Sequence, residues 1–249
     1  MASELRWAVT DGPEGTHAVV LPDDAAGAGQ LVTHYRGRFW CSTRAGGCGE
    51  RLLAGAAGFR HADVDAWCRF AEADAAPAYE HLRYEPALTA WLAELGFRPR
   101  PRTLQAPDGA VDLQLVVDEL DAVLEVQLSP LSDVAWRERD DADRARHRQV
   151  VWLYGPGAEQ AAVTEAAVRG TSLELRRQNR GLIVGVRDVD DRVRWVPLTA
   201  CRLTADGFTA PGIEQARAAH RRRAGERREA ARRVAGHTPA VPEQLAFPV

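Results

Sequence analysis

Two runs, AVDLQLVV (110–117) and AVLEVQLS (122–129), flank the tetrapeptide DELD (118–121) and constrain the fold more than any other stretch. Apolar and polar residues alternate in both with the period of a strand, and the acidic interruption suits a turn, so the spacing predicts a β-hairpin. With 118–121 as the turn, Val117 faces Ala122, Gln114 faces Glu125 and Asp112 faces Gln127. These four polar residues then share one face, while Leu113, Leu115, Leu124, Val126 and Leu128 share the other. A one-residue slip would exchange the faces, so the pattern commits the register.

The flanking segments extend the hairpin into an α/β unit. Upstream, PALTAWLAELGF places Leu88, Trp91, Leu92 and Leu95 at helical spacing, with Pro86 in the first turn and Gly96 as the stop. Downstream, Ser132 is an N-cap candidate for a strongly charged helix that leads into VVWLY. Strand, helix and strand in this order predict a parallel, right-handed crossover. GAEQAAVTEAAVRG then reads as a helix and GLIVGVRDVDDRVRWVPL as a second hairpin around an Asp-rich turn. Short apolar runs between Gly-, Pro- and Asp-rich turns over residues 5–35 predict a β-rich start, and the final residues predict a disordered tail. The expected divisions are 1–75, 76–160, 161–211 and 212–249.

Asp112 and Glu125 would be diagonal neighbours with Cβ atoms about 7 Å apart. Their carboxylates can converge on one hard cation such as Mg²⁺, which takes oxygen ligands at about 2.1 Å. A half-exposed hairpin also carries polar residues outward by default, and that reading is open too.

Cys41, Cys48, His61 and Cys68 offer a Cys₃His set of the kind that holds structural zinc, although six residues separate the first two where two to four are usual. Buried free thiols are the alternative, and Cys201 reads as packing. All 32 basic residues are arginine, so no lysine is available for catalysis. The formal net charge of −3 gives no general expectation of nucleic-acid binding. Locally, residues 213–236 carry eight arginines against three glutamates, which fits phosphate contact or a solvated helix face. No apolar run reaches the roughly 18 to 20 residues of a membrane span, and the start lacks a secretory pattern, so a soluble cytoplasmic protein is expected.

CGE (48–50), FRHAD (59–63), YEHLRY (79–84), VDLQL (111–115), LEVQLS (124–129), Arg139 and VVWLYG (150–155) occur in an order that resembles the PD-(D/E)XK nuclease core. More narrowly, they resemble the CoiA-like competence nuclease family over roughly residues 38–155. The resemblance implies a restriction-endonuclease-like core, with a central mixed sheet flanked by helices. A small β and zinc-binding segment would precede it, and a hairpin and basic helix would follow. It implies a DNA hydrolase acting in competence, recombination or a related processing or defence pathway, with DNA as partner. Self-association, or a partner protein from such a pathway, is left open. Asp112 and Glu125 match the acids that hold Mg²⁺ or Mn²⁺, and Glu80 matches a helix acid that completes the shell. Gln127 stands where many such enzymes have lysine; its amide can orient water or phosphate but supplies no charge. Arg139 and Arg83 are phosphate-contact candidates. His81 is either another or a surface residue, and Tyr84 replaces a common lysine. Pro86 is expected to leave Glu80 ahead of the helix proper. The readings from other classes are a catalytically silent zinc-containing DNA-binding or adaptor module, and a zinc-stapled protein-interaction domain.

Overall fold

A computed structural model describes residues 5–63, 65–71, 75–105, 111–178 and 181–235. The chain opens with β1 (Trp7–Val9), β2 (Ala18–Val20), α1 (Ala25–His34), β3 (Phe39–Trp40), β4 (Arg51–Ala54) and β5 (Phe59–His61). The five strands form an antiparallel sheet in the order β2-β1-β3-β4-β5. Half of the expectation for this region needs correcting, because AAGAGQLVTH is a helix. The Asp24 carboxylate caps it by accepting from the Gly27 amide at 2.7 Å, a local hydrogen bond that outweighs the turn-like composition. Phe39, Leu52, Phe59, Phe70 and Tyr79 form the centre of a compact core over this sheet.

Two helices follow, α2 (Ala76–Leu82) and α3 (Glu85–Glu94). Pro86 sits in the first turn of α3, where its missing N–H forfeits no helical bond, so it begins a helix. Glu80 therefore lies on a helix of its own. Gly96, at φ +92°, accepts the left-handed conformation that ends α3.

The chain then runs through β6 (Arg100–Gln105), β7 (Val111–Val117), β8 (Ala122–Gln127), α4 (Asp133–Arg144), β9 (Gln149–Tyr154), α5 (Glu159–Arg169), β10 (Thr171–Gln178), β11 (Gly181–Asp188) and β12 (Val193–Pro197). The seven strands form one mixed sheet, β12-β11-β10-β9-β8-β7-β6. The expected hairpin register is found, with Val117 opposite Ala122 and Gln114 opposite Glu125. Asp121 closes the turn at φ +47°. Ser132 caps α4 by accepting from the Ala135 amide, and β9 returns parallel to β8 with Trp152 beside Glu125. β6 and β10, which the sequence reading did not name, extend the sheet on either side. A short hairpin, β13 (Arg202–Thr204) with β14 (Gly207–Thr209), precedes the long α6 (Ile213–Ala235).

Both faces of the large sheet are covered. Leu113, Leu115, Leu124, Val126, Leu128, Val151 and Leu153 pack with Leu88, Trp91 and Leu92 of α3 and with Phe208, Ile213 and Cys201. On the other face Val116, Val123, Trp152 and Tyr154 pack with Trp136 of α4 and Ala161 and Ala162 of α5. Each fully buried large side chain contributes about 1.5–3 kcal/mol by leaving water. Among the described residues no helix is long and apolar enough to cross a membrane.

Candidate functional site

The polar face of the β7–β8 hairpin is an interior surface, because Gln114, Glu125 and Gln127 are only 8%, 0% and 2% exposed. The reading of a half-exposed outer face is thereby set aside. Position 125 on β8 fixes the carboxylate beside Trp152, and α4 brings Arg139 over the same spot. The Arg139 guanidinium lies over the Trp152 ring, 5.3 Å from its centroid. Its Nη2 donates to Glu125 Oε2 at 3.1 Å and its Nη1 to Gln127 Oε1 at 2.9 Å. Gln114 Nε2 donates to Glu125 Oε1, and Gln127 Nε2 to the Ser129 carbonyl at 2.9 Å. A charge this deep is tolerable only when paired and fully hydrogen-bonded, and the network supplies both conditions.

Asp112 lies on β7 opposite Leu104 of β6, one residue beyond the Leu113–Val126 pair and on the strand face shared with Gln114. Its side chain lies outside the described part of the structure. Glu80 pairs with Arg83 at 2.7 Å and borders a cavity of about 360 Å³ together with Trp7, Leu128, Ser129 and Pro130. The cavity thus reaches the residue whose carbonyl holds Gln127. Arg83 also stacks over Trp7, 5.9 Å from the ring centroid. His81 is 3% exposed, so its surface reading is corrected: α2 packs against β7, β1 and β2 and turns this residue inward. A hard divalent cation would need oxygen donors, and the two that face Arg139, Glu125 Oε2 and Gln127 Oε1, both accept hydrogen bonds from it. Arg139 is the group that must release Glu125 Oε2 for such an ion to bind.

The second cluster lies in the N-terminal module. One ligand atom each from Cys41, Cys48, His61 and Cys68 falls within 4.8 Å of the others, and these residues can hold a metal ion such as zinc. Cys41 follows β3, Cys48 precedes β4, His61 ends β5 and Cys68 precedes a single turn of 3₁₀ helix. The loop closes because Cys41 N donates to the Glu50 carbonyl at 2.9 Å and Gly49 N donates back to the Cys41 carbonyl at 3.0 Å. Gly47 is required: a Cβ there would lie 2.3 Å from the Cys41 sulfur. Burial pushes the Cys41 and Cys48 thiols up and His61 down, so the ring is kept in its neutral, ligating form. His61 Nε2 is enclosed with no hydrogen-bond partner among the described residues, as a ligating nitrogen would be without its ion. The cysteine loop is tied to α3 through Arg44, which pairs with the buried Glu85. Cys201 is fully buried among apolar residues, away from this cluster.

No family model, curated protein or solved structure matches the chain.

Sequence reasoning did not single out a third network centred on Asp140 of α4. Its carboxylate accepts from Trp152 Nε1 at 2.8 Å, from Arg144 Nε at 2.9 Å and from Arg169 of α5. Burial works to raise its pKa, but the hydrogen bonds from Arg169, Arg144 and Trp152 hold it below the ordinary value. Asp140 lies four residues after Trp136 and seven before His147, in a helix so charged that its inward position is masked. The structure turns the stripe of Trp136, Asp140 and Asp143 inward, and the four-residue spacing of Asp140 from Trp136 is its trace in the sequence.

Proposed function

We propose that the chain is a metal-dependent nuclease of the PD-(D/E)XK type, similar to the CoiA-like competence nucleases, hydrolysing DNA phosphodiester bonds in a cytoplasmic processing, recombination or defence pathway. The observation that carries this reading is the union of Glu125, Gln127 and Arg139 on the buried face that Gln114 and the Asp112 position share. An ordinary core hairpin has no need of a carboxylate there, and an inward acid–amide–guanidinium set is what handling an anionic substrate requires. In this reading Asp112 and Glu125 hold the Mg²⁺ or Mn²⁺, with Glu80 assisting. The bound ion supplies charge neutralisation and water activation. Gln127 orients water or a phosphate oxygen. Arg139, once it has released Glu125, meets the phosphate in bidentate fashion. His81 on α2 and Arg83 just past its end are further phosphate contacts in this reading, and the arginines of α6 add sequence-independent attraction.

Cleavage of labelled single- and double-stranded DNA with Mg²⁺ or Mn²⁺ tests the proposal. Asp112→Ala and Glu125→Ala are each expected to lower the rate by at least about 100-fold, the scale of losing a positioned electrostatic or acid–base group. Equal rates in both variants reject it. One observation favours a second reading: both Glu125 oxygens already hold hydrogen bonds. A silent zinc-containing DNA-binding or adaptor module would keep such a closed network. Salt-sensitive DNA binding without cleavage in any ion would select that reading.

A further inference from the structure

β9 and β10 are neighbours in the sheet but share a single registered pair, Tyr154 with Glu174. Toward their N-terminal ends no further pair forms. A cavity of about 330 Å³ is lined there by Gln149–Trp152 and Thr171–Leu173, with Phe208 of β14 and Ile213 and Arg217 of α6. The β8–β9 register sets Gln149 beside Ala122 and Trp152 beside Glu125, so the cavity, which runs from Gln149 to Trp152, reaches the strand position next to the Glu125 cluster. Its polar lining is nonetheless its own, since none of Gln114, Glu125, Gln127 and Arg139 borders it.

Its chemistry is specific in three respects. Four arginines, 144, 148, 169 and 217, line it against one acid, Glu165, which is turned to Arg169 at 2.9 Å. Arg144 and Arg169 are held by Asp140. Arg148 makes no ion pair among the described residues, and Arg217 meets only the exposed Glu214, an interaction that water largely screens. Two cationic groups are thus available to an anion. Next, Ser172 is 2% exposed, yet its Oγ has no hydrogen-bond partner among the described residues. Gln149 Oε1 is likewise enclosed and unpartnered, while its Nε2 donates to the Thr204 and Ala205 carbonyls at 3.0 and 2.8 Å. The amide oxygen asks for a hydroxyl or amine donor. Finally, Leu173, Phe208 and Ile213 give the cavity an apolar wall. A fitting ligand therefore combines an anionic group, a hydroxyl or amine donor and a flat apolar body, in a volume at the lower end of small-molecule sites.

We propose that this cavity binds a phosphorylated nucleoside. Arg148 and Arg217 take the phosphate, Ser172 Oγ and Gln149 Oε1 hydrogen-bond the sugar or base, and the ring lies against Phe208 and Ile213. The same chemistry is offered by a free mononucleotide and by the phosphorylated end of a strand.

Calorimetric titration of the full chain with adenosine 5′-monophosphate, adenosine, inorganic phosphate and a short 5′-phosphorylated oligonucleotide tests this. Saturable binding of the monophosphate is expected, with adenosine and phosphate each at least about tenfold weaker. Arg148→Ala and Arg217→Ala alter exposed side chains and leave the fold intact; each is expected to weaken the monophosphate by about tenfold, the scale of one charge-assisted contact. Ser172→Ala, whose fold is checked by its thermal midpoint, is expected to weaken it severalfold. Tighter binding of the oligonucleotide, lost in the same variants, assigns the strand end as the source; tighter binding of the monophosphate assigns the free nucleotide. Absence of saturable binding at millimolar monophosphate overturns the proposal, as does binding that both arginine variants leave unchanged.

Discussion

Between Leu5 and Leu82 the chain builds its core on strands of two to four residues, whereas the second sheet uses strands of five to eight. The first region gathers four side chains able to ligate a metal within 4.8 Å; the second sets a fully buried carboxylate against a partly exposed arginine on one face of its sheet. Short strands offer few main-chain bonds and little apolar area, so the small module gains most from a covalently anchored centre. The large sheet has apolar contact to spare and can carry a polar network at its heart. Polar side chains are thus gathered into a set that can hold a metal ion in one region and around a buried carboxylate in the other.

The sharpest way to break this contrast is to remove the metal centre. One zinc per chain is expected by elemental analysis, and Cys41→Ser or Cys68→Ser should abolish it. Zinc binding reaches about 10–16 kcal/mol in small zinc-dependent folds, more than such a module's own stability. Segment 5–71 should therefore become protease-sensitive, while the circular dichroism of the large sheet persists. Metal-free protein with unchanged protease resistance would make the thiols simple packing groups.

Next in size is Glu125→Ala, which leaves the buried Gln114 amide and the partly exposed Arg139 guanidinium without their acceptor. The expected loss is about 3–5 kcal/mol in denaturant titrations, with Glu125→Gln less harmful because it keeps an acceptor. A loss under about 1 kcal/mol would place the pair in the weak, surface class.

The smallest effect concerns Glu165, whose pKa is pushed by burial up to about 7 despite Arg169 beside it. Arg169 is shared with Asp140, which also holds Arg144 and Trp152 and so keeps its charge at Glu165's expense. The folded chain retains a proton that the unfolded chain releases from about pH 4.5 upward, so stability falls as pH rises from there to about 7. Glu165→Gln is expected to flatten that window and to stabilise the protein above pH 7 by on the order of 2 kcal/mol. Parallel pH profiles for variant and parent would show that Glu165 titrates normally.

Legibility followed the range of the interactions. The 111–128 hairpin could be read because two-residue alternation and a short turn specify register locally, and Ser132 and Pro86 announced the starts of α4 and α3 for equally local reasons. α1 was misread because its alanines and glycines resemble a turn until Asp24 is seen to cap them. The burial of Gln114, Glu125 and Gln127 depends on where α2 and α4 land, which no local pattern encodes. The four metal-ligating residues were legible as a set because their chemistry is distinctive even at irregular spacing. The Asp140 network was not, since one acid among many on a charged helix reveals its direction only through its neighbours.

The one-pair seam between β9 and β10 has a mechanical meaning. Strands β10 and β11 pair along their whole lengths and β12 adds five more pairs, yet a single registered pair joins them to the preceding strands among the described residues. Side chains such as Leu173, Leu175 and Val184, pressed into the shared core, do the rest of the holding. The C-terminal meander is thus joined to the rest of the sheet chiefly through packed side chains, where an ordinary sheet would add a row of hydrogen bonds.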